Sequence, residues 1–217
     1  MQDSQGLRPY QTIFRAGQSE MVINKSRFIG YCLPALNEQA AQEEIAKIRK
    51  RHYDARHCCY ALRLCGGTAR SSDDGEPSGT AGAPILNVLN GANVENALIA
   101  VVRYFGGVLL GTGGLVRAYG GAASEALKAS RIVRMRVCRR LRVTLTYPSY
   151  HAAEPILRAK RYPCDAEYGA NVILSLLVPE EEADSFSAEL VNRTDGHAVI
   201  ETKSRTLEAF DNTGDET

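Results

Sequence analysis

Hydrophobic and polar residues alternate in short runs through the first part of the chain. TIFRA (12–16), EMVIN (20–24) and SRFIGYCL (26–33) read as two or three strands, punctuated by Gly17-Gln18 and Asn24-Lys25-Ser26. The period then changes. Ala41, Ile45 and Ile48 recur at helical spacing, which predicts a helix over 38–52 capped by Asn37. Glu38, Glu43 and Glu44 come early in it and Lys47, Arg49, Lys50 and Arg51 late, as the helix dipole favours, so this basic run reads as a helix end and not as a binding patch.

RHCCYALRL (56–64) alternates as a strand, and 80–89 reads as a short helix. Residues 94–105 satisfy two periods at once. Val94, Leu98, Val101, Val102 and Phe105 make a helical stripe, yet ALIAVV is an unbroken apolar run. The expectation is a turn at Asn90-Gly91, then a helical start passing into a buried strand that ends at 103–105. Gly106-Gly107 and the glycines of 111–114 frame Val108-Leu109-Leu110, and a helix follows over about 114–129. Six arginines fall among residues 131–142. Beyond them come a strand (141–147), a helix (about 151–160), strands near 165–168 and 171–178, a helix (180–192) begun by Pro179, and a strand (197–203). That order, strand-helix-strand-strand-helix-strand in about 65 residues, is the split ferredoxin-like arrangement. The predicted class is α+β in two domains, 1–140 and 141–208, with 209–217 a frayed tail.

Composition narrows the classes. The 217 residues are 44% hydrophobic and 24% charged, as in an ordinary globular protein. The apolar runs fall well short of the roughly 18 residues that span a bilayer. The amino terminus lacks the charged-then-apolar pattern of a secretory signal, so a cytoplasmic location is expected and the six cysteines read as reduced thiols. No Cys-x-x-Cys pair occurs. His52, His57, Cys58, Cys59 and Cys65 cluster in sequence, but neighbours on a strand point to opposite faces, so neither a zinc site nor a His57-activated cysteine is expected there. No metal or cofactor is called for. The net charge of +1 hides an asymmetry: residues 1–140 carry 19 Lys+Arg against 11 Asp+Glu, and residues 141–217 carry 7 against 14. The cationic portion points to an anionic partner such as RNA.

Two segments carry candidate chemistry. SSDDGEPSGTAGAP (71–84) sets Asp73, Asp74 and Glu76 among turn formers, and reads as a solvated turn, an acid-base or cation site, or a shaped loop facing a partner. The glycine-rich stretch 106–114 meets neither the dinucleotide fingerprint, which needs a glycine where Val116 stands, nor the Walker loop. Its general chemistry remains. Thr112 is expected to cap the following helix and to leave the amides of Gly113 and Gly114 as an anion cradle, with Arg103 and Arg117 adding charge.

SRFIGYCLPA (26–35), DARHCCYALR (54–63), SSDDGEPSGTAGAPIL (71–86) and above all VVRYFGGVLLGTGGLVRAYGGA (101–122) resemble the YigZ/IMPACT family. The segment after 140 is similar to the smaller carboxyl-terminal domain of its bacterial members. The resemblance implies an amino-terminal domain like the second domain of ribosomal protein S5, an α/β sandwich, joined to a ferredoxin-like domain. It also implies a role in translation control. The starvation-kinase partner of the eukaryotic relatives is not implied, because residues 1–20 are too few for their preceding domain. The leading expectation is a non-enzymatic binding protein that contacts RNA, the ribosome or a translation factor through Arg56, Arg63, Arg103, Gly106, Gly107, Thr112, Gly113, Gly114 and Arg117. The alternative is an enzyme on a small phosphorylated or nucleotide-like substrate, with Asp73, Asp74 or Glu76 as acid, base or cation ligand.

Overall fold

The computed structural model describes residues 7–210, which form two compact units, Tyr10–Arg134 in one and residues 7–9 and 135–210 in the other. In the first unit β2 (Gly17–Ile23), β3 (Ser26–Pro34), β6 (Ala97–Tyr104), β4 (His57–Arg63) and β5 (Ala69–Ser72) lie in that order in one antiparallel sheet. β1 (Tyr10–Arg15) runs beside the approach to β6, where Gln11 bridges Val94 and its carbonyl accepts from the Glu95 amide at 2.8 Å. Helices α2 (Gly82–Gly91) and α3 (Gly111–Lys128) cover one face of the sheet, packing on Phe28, Cys59, Ala61, Ile99 and Val101. Helix α1 (Glu38–Arg51) covers the other, with Ile48 over Ile29, Tyr31 and Val102, and with Ala41 and Ile45 over Leu62 and Leu98. Central β6 is thus buried on both sides, which is why its sequence shows no alternation.

Local chemistry accounts for most boundaries. The Asn37 side chain accepts from the Ala40 amide at 2.8 Å and starts α1 as predicted. The expected helical start before β6 does not form. Asn93 and Asn96 hold left-handed backbone, φ 50° and 52°, which a right-handed helix cannot pass through, and every residue from Ala97 to Tyr104 pairs with β3. Asn90-Gly91 ends α2 and makes no separate turn. β5 was not anticipated, because ARSS is a polar edge strand without alternation.

The second unit contains most of β7 (Arg131–Leu145), followed by α4 (Tyr147–Lys160), β8 (Cys164–Tyr168), β9 (Val172–Pro179), α5 (Glu180–Arg193) and β10 (Val199–Phe210). Its strands run β10-β7-β9-β8. Both helices bury Ala153, Ile156, Ala183, Phe186 and Leu190 against the alternate residues Leu141, Val143, Leu145, Leu174 and Leu176. β7 starts ten residues earlier than the pattern 141–147 implied, and β10 continues through residues 209–210 of the expected tail; residues 211–217 lie outside the described residues. Pro179 stands just before α5 and not within it. Two arginines of the run are paired: Arg136 with Glu181 and Glu182, and Arg139 with Glu180 and Asp184.

Candidate functional site

Register builds the site. His57, the first residue of β4, lies opposite Arg103 of β6, and Arg103 lies opposite Phe28 of β3. Arg103 is 5% exposed, with its guanidinium over the rings of Phe28 and Phe105 at 5.6 and 5.5 Å. A charge so buried needs a counter-charge. Glu76 supplies it: Oε1 accepts from Arg103 at 2.7 Å and from the Tyr119 hydroxyl of α3 at 2.8 Å. Burial pushes the Tyr119 hydroxyl far above its ordinary pKa, so it stays a donor. Arg103 also reaches the Ser26 hydroxyl at 3.4 Å.

The acidic loop is a scaffold around this network. Asp73 accepts from the amides of Gly79, Ala81 and Gly82 at 2.8–2.9 Å, closing the loop and capping α2. Burial raises its pKa, but the three amides outweigh burial and hold the carboxyl below its ordinary value. The Asp74 carboxylate accepts from the Cys58 amide and from Arg49 of α1, both at 2.7 Å. The Asp74 carbonyl accepts from His57 Nδ1, also at 2.7 Å. A carbonyl only accepts, so Nδ1 carries a proton, and Nε2 lies 3.8 Å from Glu76 Oε1. Gly75, φ 85°, lies against the ring: a Cβ there would stand 3.4 Å from Nδ1. The thiols beside the site are inert, Cys58 pushed up to about 11 and Cys59 to about 12 by burial, and they occupy opposite faces of the sheet. His52 is elsewhere, between the hydroxyls of Tyr31 and Tyr104.

Above the network opens a cleft of about 430 Å³. Its lining includes Arg56, His57, Glu76, Arg103, Phe105 and Thr112, with Leu109 and Leu110 at the side. Gly111, Thr112 and Gly113 are exposed in the first turn of α3, where amides have no intrahelical carbonyl to bond. Among the described residues, neither Arg56 nor Arg117 has a carboxylate partner.

The structure therefore rearranges the predicted set. Arg56, Arg103 and Thr112 converge on the cleft, but Arg103 is a buried, neutralised group and not a free cation. Arg63 does not join them: it binds the Asn93 side chain, the Val94 carbonyl and Glu95. Thr112 does not cap α3, whose first cap position is Leu110 and lacks a side-chain bond, and Gly114 lies far enough into the helix for its amide to bond Leu110. Gly106 serves the backbone: a Cβ there would fall 2.0 Å from the Lys25 carbonyl. Gly107, φ 83°, turns in open space. Asp73 and Asp74 are committed to the loop, and only Glu76 reaches the cleft. His57, Tyr119 and Phe105 were missed; a histidine opening a strand in register with an arginine is a signal visible only once the strands are paired.

The fold and site define a two-unit α+β protein whose amino-terminal unit carries a cleft floored by a buried Glu-Arg-Tyr network. Residues 24–127 match the Impact N-terminal domain, and residues 143–197 match a domain of unknown function (DUF1949). The IMPACT family member YvyE of Bacillus subtilis (strain 168) is 39% identical over 197 residues, covering 89% of this chain and 91% of the relative. The IMPACT family member YigZ of Escherichia coli (strain K12) is 38% identical over 184 residues, 80% of this chain and 88% of the relative. A solved structure described as a hypothetical protein aligns with a TM-score of 0.59 at 32% identity, covering 91% of this chain and 98% of that one. The chain belongs to the IMPACT family, as a YigZ-type bacterial member with both domains. Among the described residues, no helix is long and apolar enough to cross a membrane.

Proposed function

We propose that this protein binds RNA within the translation apparatus, on the ribosome or beside one of its factors, and that the cleft of the amino-terminal unit holds the phosphate backbone. The observation that carries this is the convergence on one cleft of Arg56, the start of α3 and the ring of Phe105. Amides at a helix start and an unpaired guanidinium attract a phosphate, and an exposed ring gives an unstacked base a platform. The finer fold reading agrees. The amino-terminal unit is of the ribosomal-protein-S5 second-domain type and the other is ferredoxin-like, the latter supported by the strand order β10-β7-β9-β8 with both helices on one face. Both types recur in ribosomal and RNA-binding proteins. The enzymatic alternative is weakened, since two of its three carboxylates, Asp73 and Asp74, are bonded into the scaffold.

Titrating the full chain with a fluorescently labelled single-stranded RNA at two ionic strengths tests the reading. With two phosphates engaged, by Arg56 and Arg117, the single-strand slope predicts about a sevenfold loss of affinity between about 50 and about 200 mM salt. Binding that ignores salt, or no binding, rejects it.

A further inference from the structure

Cationic and aromatic surface continues past the cleft, onto the face of the sheet that α1 covers. Arg103 and Tyr104 are consecutive in β6 and so send their side chains to opposite faces: Arg103 lies over Phe28 on the cleft side, and Tyr104 packs with Tyr31 on the α1 side. His52, which ends α1, ties this second side together, its ring nitrogens hydrogen-bonded to the hydroxyls of Tyr31 and Tyr104 at 2.7 and 2.8 Å. Arg51 lies over the Tyr31 ring and Arg27 over the Tyr104 ring, at 5.9 and 5.7 Å. Burial first, and then the charges of Arg51 and Arg27, hold the His52 pKa below its ordinary value.

By pattern the basic run 47–51 is a helix end, and its ion pairs divide it. Lys47 is bonded to Glu44 and Arg49 to Asp74, whereas Lys50 and Arg51 are exposed and, among the described residues, have no carboxylate partner. Lys25 is a third such cation, in the β2–β3 turn whose backbone packs on Gly106, the neighbour of Phe105. The nearby carboxylates are engaged, Glu20 by Arg27 and Asp54 by the Tyr104 hydroxyl. Tyr53, between His52 and Asp54, is 87% exposed, and Arg56 of the cleft follows closely in the chain.

Unpaired cations interleaved with exposed rings suit a nucleic-acid strand, the cations taking phosphates and the rings taking unstacked bases. The surface also turns from one face of the sheet to the other, round the start of β3, the end of β6 and the start of β4. A duplex is stiff on that scale and keeps its bases stacked, so it cannot follow the turn. A single strand can. We propose that the RNA is single-stranded and continues from the cleft round the end of the sheet to the α1 side, where Lys25, Lys50 and Arg51 hold phosphates and Tyr53 stacks a base. This assignment rests on the RNA reading given above and extends its footprint beyond the cleft.

The experiment measures, by fluorescence anisotropy on the full chain, the binding of labelled oligouridine of about four and of about twelve nucleotides. The shorter strand is confined to the cleft, and the sevenfold salt loss given above is expected of it. The longer strand adds three phosphate contacts on the α1 side, so it is expected to bind about tenfold or more tightly at low salt and to lose about a hundredfold between about 50 and about 200 mM. The double variant Lys50→Gln, Arg51→Gln removes two of those contacts and is expected to reduce that loss to about twentyfold. Tyr53→Ala is expected to weaken the longer strand about fivefold or more, the loss of one stacked base, and to leave the shorter strand within about twofold. These side chains are exposed, and the unfolding midpoints of the variants report that the fold persists. The longer strand paired with oligoadenine is expected to bind about tenfold or more weakly than the same strand alone. Equal affinity for the two lengths, indifference of the longer strand to both sets of substitutions, or equal binding of the duplex overturns the inference while sparing the RNA reading. Absence of binding to either oligouridine removes the RNA reading and this inference with it.

Discussion

The backbone carbonyl of Asp74 accepts from His57 Nδ1 at 2.7 Å, and this bond ties the acidic loop to the cleft. The loop keeps its shape because the Asp74 carboxylate reaches back to the Cys58 amide, continuing the β4 edge past the last pair with β5, Tyr60 with Ser72. Asp74 also holds left-handed backbone, φ 43°, which aspartate and asparagine tolerate better than alanine. Asp74→Ala is expected to destabilise by about 1–3 kcal/mol, since it leaves a strand amide unmatched. Asp74→Asn keeps an acceptor and the backbone preference and loses only the half-exposed Arg49 pair, so its cost is within about 1 kcal/mol. Urea unfolding midpoints separate the two variants, and equal costs would show that the Cys58 amide does not depend on Asp74.

What was readable in advance follows the range of the interactions. The Asn37 cap and the Ala41, Ile45, Ile48 face of α1 involve residues three or four apart, and both are as the pattern implied. Turn chemistry in 71–84 was visible too, because Asp73 bonds amides only six to nine residues away. Glu76, by contrast, finds Arg103 and Tyr119 at separations of 27 and 43 residues. Which partner a carboxylate meets at that range depends on strand register and helix placement, and neither is written in local composition. The same holds for Arg63, a plausible cation in sequence that register delivers to Asn93 and Glu95. β6 was misread at its start because a stripe and a run coincide there, and the two left-handed asparagines that decide between them have no apolar signature.

Asp73 gives the loop a pH signature. Its folded-state pKa lies below the ordinary value, because three amides outweigh the upward push of burial. A depressed carboxylate stabilises the fold above its unfolded pKa, near pH 4, and that contribution is lost as the pH falls through the lower folded value. Asp73→Asn sets an NH₂ against an amide donor and is expected to cost about 1–3 kcal/mol at neutral pH. Stability of the variant should then fall less steeply than wild type below about pH 4. Parallel acid limbs in urea titrations across that range would assign the pH dependence to other groups.

The Glu76–Arg103 pair, with both side chains under a tenth exposed, is the strongest test of the cleft floor. Glu76→Gln retains an acceptor for Tyr119 but leaves the Arg103 charge uncompensated inside the protein, and the expected cost is about 3–5 kcal/mol. Tyr119→Phe removes one neutral donor to the same oxygen and is expected to cost about 1–2 kcal/mol. Because both substitutions act on Glu76 Oε1, the double variant should lose less than the two separate losses combined. Strict additivity in denaturant unfolding would mean that the three residues do not act as one network.

The adjacent glycines of the family string should differ sharply. Gly106 packs so closely on the Lys25 carbonyl that a Cβ would lie 2.0 Å away, against backbone that cannot swing aside as a side-chain tip can. Gly106→Ala therefore requires the β2–β3 turn to shift, and the expected cost exceeds about 3 kcal/mol. Gly107 has nothing within 4 Å of the same position but holds φ 83°, so Gly107→Ala carries only the left-handed penalty of about 1 kcal/mol. Thermal unfolding ranks the two. RNA affinity measured on the folded Gly107→Ala variant should stay within twofold of wild type, because this glycine shapes the chain leading to α3 without lining the cleft. A large loss of affinity in that variant would return Gly107 to the binding surface.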